Sequence, residues 1–307
     1  MATMIAFGRN VEKLDFSIVG PMNEVDWNGV EGPQVPPDQY VRLMHKLLSR
    51  LDEMGLHDIR LVVPDTADPE RGLGAYLPAI ASDTLVVAHV AAWGVHTYSG
   101  DLGGAPAKLA AGGVATPVIV TEYSGPCPSC DDGAPHPDDP SAAVETAQEA
   151  VSLLKQGANG LEFYDAWDGF YEHHGHVGYW GALAYDDLTG TYDPRRAFTV
   201  LSILVACIRP GARSVSLEAD GTGIDSAAAF IEPSTGKRSV LIFASDTGGT
   251  SKLAIPSENE FRRISVTTKN LAIAPERDSR SSTGGFIVRM GALEGDLQGS
   301  YFYCISE

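Results

Sequence analysis

With 307 residues, 44% of them hydrophobic and 20% charged, the chain is long enough for a buried core and has the composition of a folded globular protein. Forty acidic against 22 basic residues leave a formal charge of −18, which argues against nucleic acid or an anionic membrane as partner, because both demand a basic footprint. No apolar run reaches the length of about 18 residues that a membrane span needs.

Met1 to Asn10 lacks the basic-then-apolar pattern of a signal peptide. A cytoplasmic location is therefore expected, with a secreted parent lacking its front end as the alternative. Four cysteines, Cys127, Cys130, Cys207 and Cys304, are too few for a disulfide scaffold.

In chain order, Ala2 to Leu14 is helix-like, and Phe16 to Gly20 reads as a short buried strand ended by Pro21. Pro36-Pro37-Asp38 opens a helix with apolar positions at Tyr40, Val41, Met44, Leu47, Leu48 and Leu51, and Gly55 sits where a C-terminal stop belongs. Ile59 to Val63 is the second strand, followed by a helical stretch near Ala75 to Ala81. Leu85 to His89 reads as a third strand, Ala105 to Ala111 as a helix, and Pro117 to Thr121 as a fourth, β-branched strand. Asp139-Pro140 starts a helix by joining a capping residue to proline at the first helical position; its apolar stripe is Val144, Ala147, Val151 and Leu154. Gly160 to Tyr164 is the fifth strand, and Phe198 to Ile208 its helix.

Such alternation predicts a parallel sheet with crossover helices, about five β/α units in all. After Arg209-Pro210-Gly211 the pattern changes to short alternating runs, Ser239 to Ala244, Gly285 to Met290 and Tyr301 to Ile305, which predict a small antiparallel β-sandwich. Two domains are expected, residues 1–211 and 212–307.

The polar clusters follow the C-terminal ends of strands, the face on which β/α barrels build active sites. The first strand ends in Pro21-Met22-Asn23-Glu24 and the fourth in Thr121-Glu122-Tyr123. Two glutamates so placed can face each other across a barrel mouth. Glycoside hydrolysis needs that pairing: one carboxylic acid protonates the leaving oxygen while the other attacks the anomeric carbon, with the carboxyl groups roughly 5–5.5 Å apart when configuration is retained.

Asn23-Glu24 after one strand, with Glu122 after the third strand beyond it, resembles the signature of the clan A glycoside hydrolases. That resemblance implies an incomplete TIM-type (β/α) barrel comprising strands four to eight, followed by the sandwich. It makes Glu24 the general acid/base, Glu122 the nucleophile and Asn23 a ligand of the sugar 2-hydroxyl. His96-Thr97-Tyr98 resembles the strand-six segment whose Tyr contacts the nucleophile, which implies His96 and Tyr98 as substrate-binding residues, and Trp167 stands where the clan places an aromatic platform under the sugar. Arg209-Pro210-Gly211-Ala212 resembles the entry to the β-domain of family thirty, with family five a close competitor. A full barrel takes about 250 residues, so strands one to three, and the Arg they usually supply to the nucleophile, have no room before Asp15. Self-association covering the open barrel edges is expected on that account.

Trp27 lies close enough to Glu24 to border a subsite. Three histidines within Glu172-His173-His174-Gly175-His176 lack the regular spacing of a zinc site, so a polar subsite wall is preferred and no metal is assigned. Cys127-Pro128-Ser129-Cys130 leaves a local disulfide or two free thiols open. Asp65, Asp165 and Asp168 lie near strand ends and receive no chemical role. The expected activity is a retaining glycoside hydrolase cleaving β-linked glycosides by double displacement through a covalent glycosyl-enzyme, with no cofactor and a carbohydrate substrate. The alternative is a catalytically weak or inactive carbohydrate-binding remnant. No G-x-S-x-G elbow is present to support a serine hydrolase.

Overall fold

The computed structural model describes residues 1–29, 32–125, 130, 133, 140–171, 175–186, 188–221, 226–245, 250–256, 261–267, 272–275, 287–291 and 300–306. The chain divides into two compact units, Met1–Ser124 with Gln156–Tyr164, and Gly125–Lys155 with Asp165–Glu307.

The first unit is a five-stranded parallel sheet in the order β1 (Ile18–Val19), β2 (Arg60–Thr66), β3 (Val90–His96), β4 (Val118–Tyr123) and β5 (Gly160–Phe163). Sequential order with parallel pairing is what β/α repeats dictate. Every residue of β3 is buried, as are Leu61 to Thr66 of β2, so the middle of the sheet is apolar on both faces. Helix α1 (Ala2–Asn10) stops short of the expected Leu14.

Helix α2 (Pro37–Glu53) begins at the expected proline and buries Tyr40, Met44, Leu48 and Leu51, one stripe at helical spacing. Each of its buried Met and Leu side chains stabilises the fold by about 1.5–3 kcal/mol. Gly55, at φ 74°, supplies the left-handed residue that ends the helix. Helix α3 (Pro69–Arg71) passes through a π-helical turn, Gly72–Tyr76, into α4 (Leu77–Ala81).

The expected strand at Leu85–His89 is instead helical, α5 (Thr84–His89). The Asp83 carboxylate accepts the Val86 amide at 3.0 Å, and this cap outweighs the strand preference of two adjacent valines. The strand follows at once as β3. Helix α6 (Ala105–Ala111) falls where expected.

In the second unit, α7 (Pro140–Lys155) and α8 (Arg196–Cys207) match the expected helices within two residues. Between β5 and α8, a stretch with no clear periodicity forms two hairpins, β6 (Gly169–Tyr171) with β7 (His176–Gly178), and β8 (Leu183–Asp186) with β9 (Thr191–Pro194). Two antiparallel sheets follow. One has the order β10 (Arg213–Val215), β12 (Ser226–Ile231), β13 (Arg238–Ser245), β18 (Ser300–Ser306), β17 (Ile287–Gly291). The other runs β11 (Glu218–Gly221), β14 (Thr250–Pro256), β15 (Phe261–Thr267), β16 (Ala272–Pro275). Helices α7 and α8 both pack on β18.

Cys207, at the end of α8, is joined to Cys304 in β18 by a disulfide closing a loop of sequence separation 97, a pairing the cysteine count did not suggest. Reduction should lower the stability of this unit by about 2–4 kcal/mol through loop entropy returned to the unfolded chain. Melting with and without reductant tests this; coincident curves would deny the bond any stabilising share. Cys127 lies outside the described residues, and so does its pairing with Cys130. Among the described residues no helix is long and apolar enough to cross a membrane.

Candidate active site

The site lies wholly within the first unit, at the C-terminal ends of its parallel strands. Glu24 follows β1, His96 ends β3, and Glu122 is in β4 directly opposite His96 in the register. His96 is fully buried. Its Nδ1 lies 3.0 Å from Glu24 Oε1; towards an ionised Glu24, which can only accept, Nδ1–H is the donor. Its Nε2 lies 3.5 Å from Glu122 Oε1 and 3.7 Å from Asp65 Oδ1. β1 and β4 are not neighbours, yet their glutamates meet the same imidazole, so the sheet is curled like part of a barrel wall.

Local structure fixes these groups. Trp27 N–H donates to Glu24 O at 2.9 Å, closing a turn in which Glu24 takes φ 44°. A left-handed glutamate is uncommon and persists only where its surroundings impose it. The surroundings do so: the Tyr76 hydroxyl lies 2.8 and 2.6 Å from the carbonyls of Val25 and Val35, donating to one at a time. The buried Asp26 carboxylate accepts the amides of Ala67 and Asp68, tying this loop to the one after β2.

Glu122 accepts the Tyr98 hydroxyl at 3.1 Å. Burial pushes its pKa up to about 7, helped by Glu24 and Asp65 and opposed by His96 and the Tyr98 bond. For His96, burial favours the neutral ring, but the Glu24 hydrogen bond and the charges of Glu122 and Asp65 together lift its pKa above the ordinary value. Desolvation and the adjoining Glu122 charge raise that of Tyr98, keeping it a neutral donor. The raised value of Glu122 places one proton-exchanging carboxyl group of the cluster near neutral pH.

Of the residues expected at the site, the structure gathers Glu24, His96, Tyr98 and Glu122. His96 bridges the two carboxylates from a buried position rather than lining an open surface. Asn23 is exposed beside Glu24, and Trp27, half exposed, borders the same loop. Trp167 is 54% exposed and belongs to the second unit, where it forms an isolated bridge to Leu183. Glu172, His173 and His174 lie outside the described residues; among those described, no group of three or more His, Cys, Asp or Glu could hold a metal ion.

Sequence reasoning gave no role to Asp65, which joins the cluster; its position at the end of β2 was the available signal. Asp168 proves architectural: fully buried in the second unit, it forms a two-point pair with Arg195 at 2.7 and 2.9 Å and accepts the amides of Gly181 and Tyr185.

No protein-family model and no curated protein matches the sequence. Solved structures do match in shape. SrfJ from Salmonella typhimurium superposes with a TM-score of 0.68 at 12% identity, over 99% of this chain and 61% of that one. A GH30 endoxylanase from Clostridium papyrosolvens C71 gives 0.59 at 14% identity, over 96% of this chain and 66% of that one. At these identities the likeness is one of fold. The chain spans less than two thirds of the length of either structure.

Proposed function

We propose that this chain is a retaining glycoside hydrolase of clan A type acting on β-linked glycosides. The observation that carries this reading is the convergence of Glu24 and Glu122 on His96 at 3.0 and 3.5 Å. The likeness in fold to an endoxylanase supports it. Glu122 attacks the anomeric carbon while Glu24 protonates the departing glycosidic oxygen, leaving a glycosyl ester on Glu122. Glu24 then takes a proton from water, which displaces the ester and restores both residues. Asn23, Trp27 and Tyr98 line the sugar path in this reading.

A fluorinated mechanism-based β-glycoside should leave its adduct on the peptide carrying Glu122; labelling elsewhere would overturn the assignment. Glu24→Ala should slow hydrolysis of unactivated substrates by about 10²–10⁴-fold, and azide should rescue turnover of aryl glycosides with good leaving groups. Failure of that rescue would remove Glu24 from the acid/base role.

A second reading, a carbohydrate-binding remnant with weak or no catalysis, is favoured by one observation: the raised pKa falls on Glu122, the residue that must be ionised to attack. Sugar binding by calorimetry without hydrolysis of any aryl β-glycoside would select it.

Self-association belongs to the same proposal. Met4, Phe7, Val11 and Leu14, on and just after α1, and Ile18 on edge strand β1 are all exposed, and both an apolar patch and a free strand edge invite a partner. A monomeric mass in solution would refute it. We also propose residues 1–211 and 212–307 as two domains, joined by the Cys207–Cys304 bond, with limited proteolysis under reducing conditions as the test of a boundary near Gly211. The Cys207–Cys304 bond favours an oxidising compartment over the cytoplasmic location expected from the sequence.

A further inference from the structure

Asp65, in the last turn of β2, takes φ 66°, a left-handed conformation that aspartate tolerates better than most residues. Its buried carboxylate accepts the hydroxyl of Thr121, the residue before Glu122. The same hydroxyl lies 3.1 Å from Val95 O, so it sits between β2, β3 and β4. Room for the carboxylate comes from β3: a Cβ at Gly94 would stand 3.0 Å from Asp65 Oδ1 and 2.6 Å from Val62 Cγ1. Asp65 Oδ1 also faces His96 Nε2 at 3.7 Å, and that nitrogen is buried without a hydrogen-bond partner among the described residues.

The geometry favours a charged ring. Nδ1–H is committed to Glu24. A neutral ring would then aim the Nε2 lone pair at the Asp65 carboxylate, and at Glu122 as well once that group is ionised, whereas a protonated one aims an N–H⁺ at both.

We propose that Asp65 is the positioning residue of this site: it holds His96 as an imidazolium between Glu24 and Glu122, and it seats the Glu122 strand through Thr121. The inference rests on the reading of Glu24 and Glu122 as the working pair, but its own test does not. The groups that act on Asp65 are Glu24 after β1, His96 on β3 and Thr121 on β4; it acts in turn on Glu122 of β4, Tyr40 of α2 and Glu162 of β5. Burial and Glu24 raise its pKa, while Thr121 and His96 hold it down. Of these, only His96 can become a cation.

The test is the titration of His96 by NMR of ring-labelled histidine, the resonance assigned by its loss in His96→Gln. In the unaltered chain both ring nitrogens should be protonated at pH 6.5. In Asp65→Asn, which keeps the size and the acceptor for Thr121, the midpoint should fall by about one pH unit. Activity should fall with kcat while KM changes little.

A neutral His96 in the unaltered chain at pH 6.5 would overturn the proposal without any variant, so a failure of Asp65→Asn to fold does not protect it. An unmoved midpoint in the folded variant would overturn it as well. A shifted midpoint in a chain that hydrolyses no glycoside would instead sink the enzymatic reading and leave the role of Asp65 standing.

Discussion

Replacing Glu122 with glutamine should abolish turnover and, at the same pH, make the folded protein more stable by about 1–3 kcal/mol. The first effect follows from the loss of the nucleophile. The second follows from linkage. The Glu122 pKa of about 7 stands above the carboxyl value of 4.5, so between those limits the folded state binds a proton that the unfolded chain has released. Stability therefore falls as pH rises from 4.5 to 7, and the full deficit persists above 7. Glutamine carries no charge at any pH and still accepts the Tyr98 hydroxyl. Urea unfolding at pH 5 and pH 8 checks this: the variant's advantage should be small at the first pH and largest at the second. An equal advantage at both would show that Glu122 is not held at a raised pKa. The same ionisation governs the reaction, so kcat/KM should climb as pH rises through about 7.

The largest purely structural effect is expected at Asp168. Its carboxylate lies in the interior of the second unit with four acceptor contacts filled, two from Arg195 and two from backbone amides. Asp168→Ala strands the Arg195 guanidinium, itself buried, without its counter-ion. Breaking such a pair from one side costs about 3–5 kcal/mol, a large share of the stability of a typical domain. Chemical denaturation should show the loss directly. Replacing Asp168 and Arg195 together with apolar residues of similar volume should recover most of it. If the single and double variants proved equally unstable, the stranded charge would not be the cause.

Much of the first unit was legible because its signals are local. Pro37 and Gly55 bracket α2, and the spacing of Tyr40, Met44, Leu48 and Leu51 marks its inner face without knowledge of any neighbour. Glu24 and Glu122 could be paired from strand order alone, since curling a parallel sheet brings its first and fourth strands round to one mouth. What escaped the sequence depends on contacts distant in the chain. The helix at Thr84–His89 is the local exception, capped by the Asp83 carboxylate on the Val86 amide three residues on. The Cys207–Cys304 bond links a helix to a strand with 97 positions between them in sequence. Asp65 shows its role only once Gly94 and Thr121 on two neighbouring strands are seen beside it. Sequence gives no measure of depth, so the complete burial of His96 between Glu24 and Glu122 emerges only in the fold.

Glu24 and Asp65 both hold backbone angles that L residues with side chains seldom adopt. Glycine at either position, or asparagine at Glu24, would relax the main chain while erasing a carboxylate. The sturdier neighbours of this sequence at these two positions are therefore chemically silent ones, and selection for thermal robustness alone would steer the chain away from its own reaction.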